Sequence, residues 1–310
     1  MSVIHPALRG AIRPATITPA PRISARLGRR VTLVSEVGQI TGSFKLRAAY
    51  NVAASVASNH LIAASSGNFG QALAYACKVL GKRSTIVMPD NSAKVKIAAV
   101  RSHGATVDLI DTTVISRAQR ISQLAAIHPD AHIASAYNDP LVIAGNSTLG
   151  EELAAAGLDV CAVVVPVGGG GLSSGVITGL RRAGNATPVF GAEPAMADDA
   201  ARSLVAGRLL CNEQEPQTIA DGARTVSLGL YNWAIIQPGI AGIFRVSEAN
   251  IEEGVRLLAG EGIRVEPTGA LAVGALLDAV LPDGPVACVL SGGNVDEAVY
   301  QRILESRTAS

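Results

Sequence analysis

The stretch "CAVVVPVGGGGLSSGV" (161–176) decides the fold, because it contains a complete strand–turn–helix unit. Its opening run, "CAVVVPV", is almost wholly apolar, which is typical of a parallel strand buried on both faces of a sheet. Four glycines follow, and they lead directly into a segment with helical character. A buried strand that passes through a glycine turn into a helix predicts an α/β protein.

The same alternation recurs along most of the chain. Short β-branched runs predict strands at 31–36, 61–66, 84–89, 106–110, 132–137, 161–167, 188–193 and 286–291. Segments rich in Ala and Leu predict helices at 69–81, 92–103, 114–127, 145–156, 171–183, 247–260 and 267–280. Strands that alternate with helices indicate a mostly parallel sheet with helices on both faces.

The composition excludes several classes of partner. The chain has 310 residues, 48% of them hydrophobic, and a formal net charge of +1. Such a balance provides no basic surface for nucleic acid or an anionic membrane. The N-terminus lacks the basic and then apolar order of a signal peptide, and no long apolar run follows. We therefore expect a cytoplasmic protein that acts on a small polar metabolite.

The loops after the strands are the places to search for chemistry, since ligands of open α/β sheets bind at the carboxyl ends of strands. The glycines at 168–171 allow several backbone N–H groups to converge on a phosphate. Neither a G-K-[ST] motif nor a complete dinucleotide-binding fingerprint accompanies them. The loop therefore favours a smaller phosphorylated cofactor, and a plain flexible turn is the alternative.

Other short motifs each allow two interpretations. "SSGN" (65–68) opens a helix, where it could bind a carboxylate or simply cap the helix. Ser291, at the end of a strand, could meet a ring nitrogen or could be an ordinary turn residue. Lys45 in "TGSFKLR" could be a reactive amine or a basic residue in a first helical turn. The acids of "GAEPAMADDA" (191–200) suit a divalent cation or a helix N-terminus.

Taken together, the motifs resemble those of the serine/threonine dehydratase and serine racemase family. "TGSFKLR", "SSGNFGQALAYA", "VPVGGGGLSSGV", "GAEP", "TIADGARTVSLG", "EPTGA" and "SGGNVD" occur here in that family's order and span nearly the whole chain. The resemblance implies a fold-type II pyridoxal phosphate (PLP) enzyme, with two open, twisted, mostly parallel sheets flanked by helices. It also implies a large PLP-binding domain (1–50 and 140–310), a small mobile domain (51–139) and a homodimer.

The resemblance assigns roles to individual residues. Lys45 matches the lysine that forms a Schiff base with PLP, and Ser291 matches the partner of the pyridine nitrogen. The remaining cofactor-binding residues implied are Phe44, Asn68, Gly168, Gly169, Gly170, Gly171, Leu172 and Gly222. The substrate carboxylate would bind at Ser65, Ser66, Gly67 and Asn68. A divalent cation (Mg²⁺, or Mn²⁺ or Ca²⁺) would bind Glu193, Asp199 and the carbonyl oxygen of Ala197.

The implied activity is an ammonia-lyase (dehydratase) reaction that converts a β-hydroxy amino acid such as L-threonine or L-serine to a 2-oxo acid and ammonia. Lys45 would remove the α-proton, and Ser66 could act as a second base, as in serine racemases. Departures from the family pattern at Ala64 and Phe69 keep open a substrate such as 3-hydroxyaspartate or a hydroxyectoine-derived intermediate. An amino-acid sensor without turnover and a β-replacement enzyme are the other interpretations.

Overall fold

A computed structural model describes residues 3–65, 67–92 and 94–306. The strands are β1 (Thr16–Pro19), β2 (Val31–Ser35), β3 (His60–Ala64), β4 (Arg83–Pro89), β5 (Thr106–Ile110), β6 (His132–Ile133), β7 (Ala162–Pro166), β8 (Val189–Pro194), β9 (Gly242–Val246) and β10 (Val286–Leu290). The helices of the first half are α1 (Leu8–Ala11), α2 (Pro21–Leu27), α3 (Lys45–Ser55), α4 (Asn68–Val79), α5 (Lys94–Ser102), α6 (Arg117–Ile127) and α7 (Pro140–Ala155). Those of the second half are α8 (Gly171–Arg182), α9 (Asp199–Ala206), α10 (Leu230–Ile236), α11 (Glu248–Gly260), α12 (Pro267–Ala275) and α13 (Glu297–Glu305).

These strands form two sheets. The larger has the order β1-β2-β10-β7-β8-β9, and the smaller has the order β5-β4-β3-β6. Only the β1–β2 pair is antiparallel among the described strand pairs. The predicted α/β class, with two mostly parallel sheets flanked by helices, is therefore confirmed.

Both faces of the larger sheet are buried, as the apolar run at its centre predicts. Along β7, Ala162 and Val164 face one apolar cluster, whereas Val163 and Val165 face another on the opposite side. Each fully buried valine stabilises the fold by roughly 1.5–3 kcal/mol relative to an exposed one. The sheet is thereby held rigidly between two helical layers, and its strand ends become fixed positions for side chains.

Some predicted boundaries were wrong for identifiable reasons. The strand expected at 132–137 ends at Ile133, because the hydroxyl of Ser135 accepts the N–H groups of Tyr137 and Asn138 and turns the chain out of the sheet. The helix expected at 145–156 begins five residues earlier, where Asp139 caps it and Pro140 occupies its first position. Strands β1 and β9 were not predicted.

A buried ion cluster fixes the start of α3. The guanidinium group of Arg47 is fully buried and pairs with Glu36 at 2.7 Å and Glu152 at 2.6 Å. It also donates a hydrogen bond to Thr148 Oγ1 at 2.9 Å. Burial raises the pKa of Glu36, while the hydrogen bonds and charge of Arg47 oppose that shift. The cluster joins the end of β2 to α3 and α7, and it anchors the turn that carries Lys45.

No helix in the described part of the chain is both long and apolar enough to cross a membrane.

Candidate active site

A cleft of about 710 Å³ opens where strands of both sheets end. It brings together most of the residues that the sequence predicted for a ligand site. Its lining includes Phe44, Lys45, Ser65, Gly67, Asn68, Gly168, Gly169, Gly170, Gly171, Leu172, Gly222 and Ser291. Ser66 lies outside the described residues, whereas Glu193, Ala197 and Asp199 are not part of the lining.

Lys45 is the first residue of α3, and its amine reaches into the cleft. The preceding turn is held against the end of β10, because the N–H of Phe44 donates to the carbonyl of Ser291 at 3.0 Å. Lys45 Nζ donates to the carbonyl of Ala136 at 3.0 Å and lies 5.0 Å from the centre of the Phe44 ring. Burial lowers the pKa of Lys45 to about 8, and the negative charge of Glu266 opposes this shift. The amine is therefore far closer to its nucleophilic, neutral form than an exposed lysine.

The glycine loop lines the cleft with backbone atoms, because its four glycines have no side chains. In the described structure, the N–H groups of residues 168–172 have no acceptor within the protein. Gly170 has φ of 87°, and a Cβ atom at Gly169 would lie 2.3 Å from the ring of Tyr137. The loop is fixed from behind by Asn232, whose Nδ2 donates to the carbonyl of Gly169 at 2.6 Å. Free N–H groups at the start of α8 form a site for an anion such as a phosphate.

The opposite wall of the cleft is the turn from β3 into α4. Ser65 Oγ accepts the N–H of Gly70 at 3.0 Å, so this serine caps the first turn of α4, as one of the two interpretations proposed. The carboxamide of Asn68 has partners at both ends: Nδ2 donates to Glu266 Oε1, and Oδ1 accepts from Asn294 Nδ2, each at 2.7 Å. This wall combines the positive end of a helix dipole with a fixed amide group.

Ser291 directly follows β10 and lines the cleft. Its side chain is buried, and Oγ has no hydrogen-bond partner among the described residues. A buried hydroxyl without a partner is costly in an ordinary protein interior, by about 1–3 kcal/mol. Because the hydroxyl faces the cleft, the missing partner is best supplied by a ligand atom.

Glu266 is a cleft residue that the sequence did not assign. It precedes Pro267 at the start of α12, where an acid is usually an ordinary helix-capping residue. Burial, and then the charge of Asp221, raise the pKa of its carboxyl group to about 8. The "EPTGA" motif was the available signal, but only the fold shows that Glu266 contacts Asn68 and approaches Lys45.

The predicted cation-binding acids lie together but are not part of the cleft lining. Glu193 and Asp199 are buried, and burial raises their pKa values to about 8 and about 7. Both oxygens of Glu193 accept N–H groups from the first turn of α9, whereas Asp199 Oδ2 has no partner among the described residues. Asp198 is paired with Arg202 and Arg245. Across the described ranges, no group of three or more His, Cys, Asp or Glu side chains is placed to hold a metal ion.

Comparisons with known proteins agree with this geometry. The family described as "Pyridoxal-phosphate dependent enzyme" matches residues 8–292. The chain is 37% identical to L-threo-3-hydroxyaspartate ammonia-lyase from Saccharomyces cerevisiae, over 92% of this chain and 89% of that one. It is 34% identical to serine racemase from Homo sapiens, over 94% of this chain and 89% of that one.

A solved structure leads to the same family. The crystal structure of threonine deaminase from T.th. superposes with a TM-score of 0.88 and 40% identity, covering 93% of this chain and 95% of that one. The predicted fold-type II architecture is confirmed by this match. The chain, with its lysine, glycine loop and buried serine at one cleft, therefore belongs to the pyridoxal-phosphate dependent enzymes.

Proposed function

We propose that this protein is an ammonia-lyase that converts a β-hydroxy amino acid, such as L-threonine or L-serine, to a 2-oxo acid and ammonia. The observation that carries the proposal is the convergence of a lysine amine of lowered pKa, an unpaired phosphate cradle and an unpaired buried hydroxyl on one cleft of the described structure. The names of the relatives support it, since they include ammonia-lyases and a threonine deaminase.

The residues present fit pyridoxal phosphate. The free N–H groups of residues 168–172 would hold its phosphate, and the Ser291 hydroxyl, which lacks a partner in the described ranges, would meet its pyridine nitrogen. Lys45 would hold its aldehyde carbon, and Asn68 would form a hydrogen bond with its 3-hydroxyl. Phe44 and Gly222 would flank its ring. When bound, the cofactor stabilises the negative charge that develops on the α-carbon of an amino acid.

The chain itself supplies positioning and proton transfer. The first turn of α4, with Ser65, Gly67 and Asn68, would bind the substrate carboxylate through N–H groups and the helix dipole. Lys45 Nζ would take the α-proton, a task suited to an amine whose pKa is about 8. The electron pair of the α-C–H bond would form a C=C bond as the β-hydroxyl leaves with the electrons of its C–O bond and takes up a proton to become water. Water would then hydrolyse the released enamino acid to the 2-oxo acid and ammonia.

We further propose that the small domain (51–139) closes on the large domain (1–50 and 140–310) and excludes water. Two ion pairs that join these parts across the cleft support this proposal: Lys96 with Asp221 and Arg117 with Glu215. Exchanging the charges, as in a Lys96→Asp/Asp221→Lys variant, should restore much of the kcat/KM that either single change removes. Equal losses in the single and double variants would contradict a closing role for the pair.

The substrate side chain is tested by an assay of 2-oxo acid and ammonia release over a panel of L-serine, L-threonine and L-threo-3-hydroxyaspartate. We expect turnover of at least one β-hydroxy amino acid and none of L-alanine, which lacks the leaving group.

A 3-hydroxyaspartate lyase is the alternative. It is supported by the relatives of that name and by Arg224, a cation in the cleft without a carboxylate partner among the described residues. Binding of PLP without turnover of any panel member would overturn the lyase proposal and favour a sensor.

Racemase activity depends on Ser66, whose role as a second base stays a prediction. Two bases on opposite faces of the cofactor, Lys45 and Ser66, would allow a proton to return to the α-carbon from either side. In deuterated solvent, the unchanged protein should then label both enantiomers of serine, whereas Ser66→Ala should label only one. Labelling of both by Ser66→Ala would exclude this serine as the second base.

Cation binding at Glu193, Asp199 and the Ala197 carbonyl is likewise a proposal, supported by Asp199 Oδ2, which lacks a partner in the described part of the chain. Mg²⁺, Mn²⁺ or Ca²⁺ should raise the unfolding midpoint of the unchanged protein but not of Asp199→Asn.

The homodimer and the cytoplasmic location expected from the sequence stay predictions. Sedimentation velocity would test the homodimer.

A further inference from the structure

Asn294 lies outside the cleft lining, yet it contacts a residue that lines the cleft. It follows β10 by four positions, and the segment that carries it is pinned to the turn before Lys45. The N–H of Gly293 donates to the carbonyl of Gly42 at 2.9 Å, and Asn294 Nδ2 donates to the carbonyl of Thr41 at 2.8 Å. The position of Asn294 is therefore set by the larger sheet.

The second N–H of Asn294 Nδ2 determines how the Asn68 carboxamide is oriented. It donates to Asn68 Oδ1 at 2.7 Å, while Asn68 Nδ2 donates to Glu266 Oε1 at 2.7 Å. An amide oxygen can only accept hydrogen bonds and an amide nitrogen can only donate them. With Oδ1 engaged by Asn294, the donor end of Asn68 is directed to Glu266 and the cleft.

The fit around Asn294 is close. Gly42 has φ of 71°, and a Cβ atom at this position would lie 2.2 Å from Asn294 Oδ1. The glycine of "TGSFK" therefore makes room for the asparagine of "SGGNVD". Neither Gly42 nor Asn294 has a role in the proposed chemistry, so a different function must account for the close packing between them.

We propose that Asn294 is a positioning residue that keeps Asn68 oriented as a hydrogen-bond donor toward the cofactor. This inference rests on the proposed contact between Asn68 and the 3-hydroxyl of PLP. A donor at that place stabilises the ionised oxygen of the cofactor, whereas an acceptor would repel it. Asn294 thus acts through Asn68, without touching the ligand.

The test is a double-mutant cycle on the affinity of the apoprotein for PLP, measured by calorimetry. Asn294→Asp replaces the donor with carboxylate oxygens, which should rotate the Asn68 amide and weaken PLP binding by about tenfold or more. In an Asn68→Ala background, the same change should have almost no further effect, because the residue that transmits it is absent. Additive losses in the two backgrounds would overturn the proposal.

Two controls separate this role from a structural one. Asn185→Asp adds the same charge at a remote turn, where the side chain already acts as an acceptor, for Thr187 N–H, so its PLP affinity should be unchanged. If Asn294→Asp does not fold, as judged from the unfolding midpoint of the apoprotein, Asn294→Ala enters the same cycle with the same expected non-additivity. Failure of the unchanged protein to bind PLP would refute the proposed site, whereas an additive cycle in a protein that binds PLP refutes only the role of Asn294.

Discussion

Lys45→Ala should lower ammonia release by on the order of 10⁴-fold or more, because the variant lacks the amine that we propose holds the cofactor and takes the α-proton. The protein should also lose the visible absorbance of a lysine-linked PLP. Borohydride reduction followed by peptide mass spectrometry should add the mass of the reduced cofactor to the peptide that contains Lys45. In the variant, no peptide should carry that mass.

The control for this change is Lys78→Ala, which removes a lysine from α4 outside the cleft lining. It should retain both the absorbance and the activity. Lys45→Arg adds a sharper comparison, since arginine keeps a positive charge but cannot form the covalent link. Retention of the band in Lys45→Ala would show that another amine holds the cofactor.

The largest effect on stability is expected from Arg47→Met. Removing the guanidinium group leaves the fully buried carboxylate of Glu36 without a counter-charge. The free energy of unfolding should fall by about 3–5 kcal/mol, the usual result of breaking a buried ion pair from one side. Denaturant unfolding of the apoprotein measures this directly.

A second change distinguishes loss of the pair from loss of packing. Arg47→Met/Glu36→Gln removes both charges, so it should be more stable than Arg47→Met alone. Arg30→Met breaks an exposed pair with Asp159 and should cost no more than about 1 kcal/mol. Similar losses for Arg47→Met and Arg30→Met would mean that burial of the Arg47 cluster has little energetic importance.

Much of the fold could be predicted because its central strands are apolar and buried on both faces. Strands β1 ("TITP") and β9 ("GIFRV") lack that signal, since they are short, lie at the edges of the sheet and are only partly buried. Their pairing is specified by neighbours distant in sequence. Local pattern therefore identified the centre of the sheet and missed its edges.

The cleft residues likewise divide into those that a sequence pattern predicts and those that only the tertiary fold brings together. The glycine loop could be identified from sequence because four glycines have few other uses after a strand. Glu266 could not, since an acid before a helix is common and its closeness to Lys45 arises only from the tertiary fold. The acids at 193–199 form one cluster in sequence, yet the structure pairs Asp198 with cations, in part with Arg245 on the unpredicted β9. The cation site at Glu193, Asp199 and the Ala197 carbonyl stays a prediction.

The distribution of the cleft residues between the two sheets has an evolutionary consequence. Lys45, the glycine loop and Ser291 follow or precede strands of the larger sheet, whereas Ser65, Gly67 and Asn68 follow a strand of the smaller one. Under the proposed roles, substitutions at Ser65 and Gly67 would alter how the substrate is bound, whereas Asn68 is the one proposed cofactor contact on the same loop. A change of substrate range through this loop would therefore keep Lys45, the glycine loop and Ser291 unchanged, provided that Asn68 is retained.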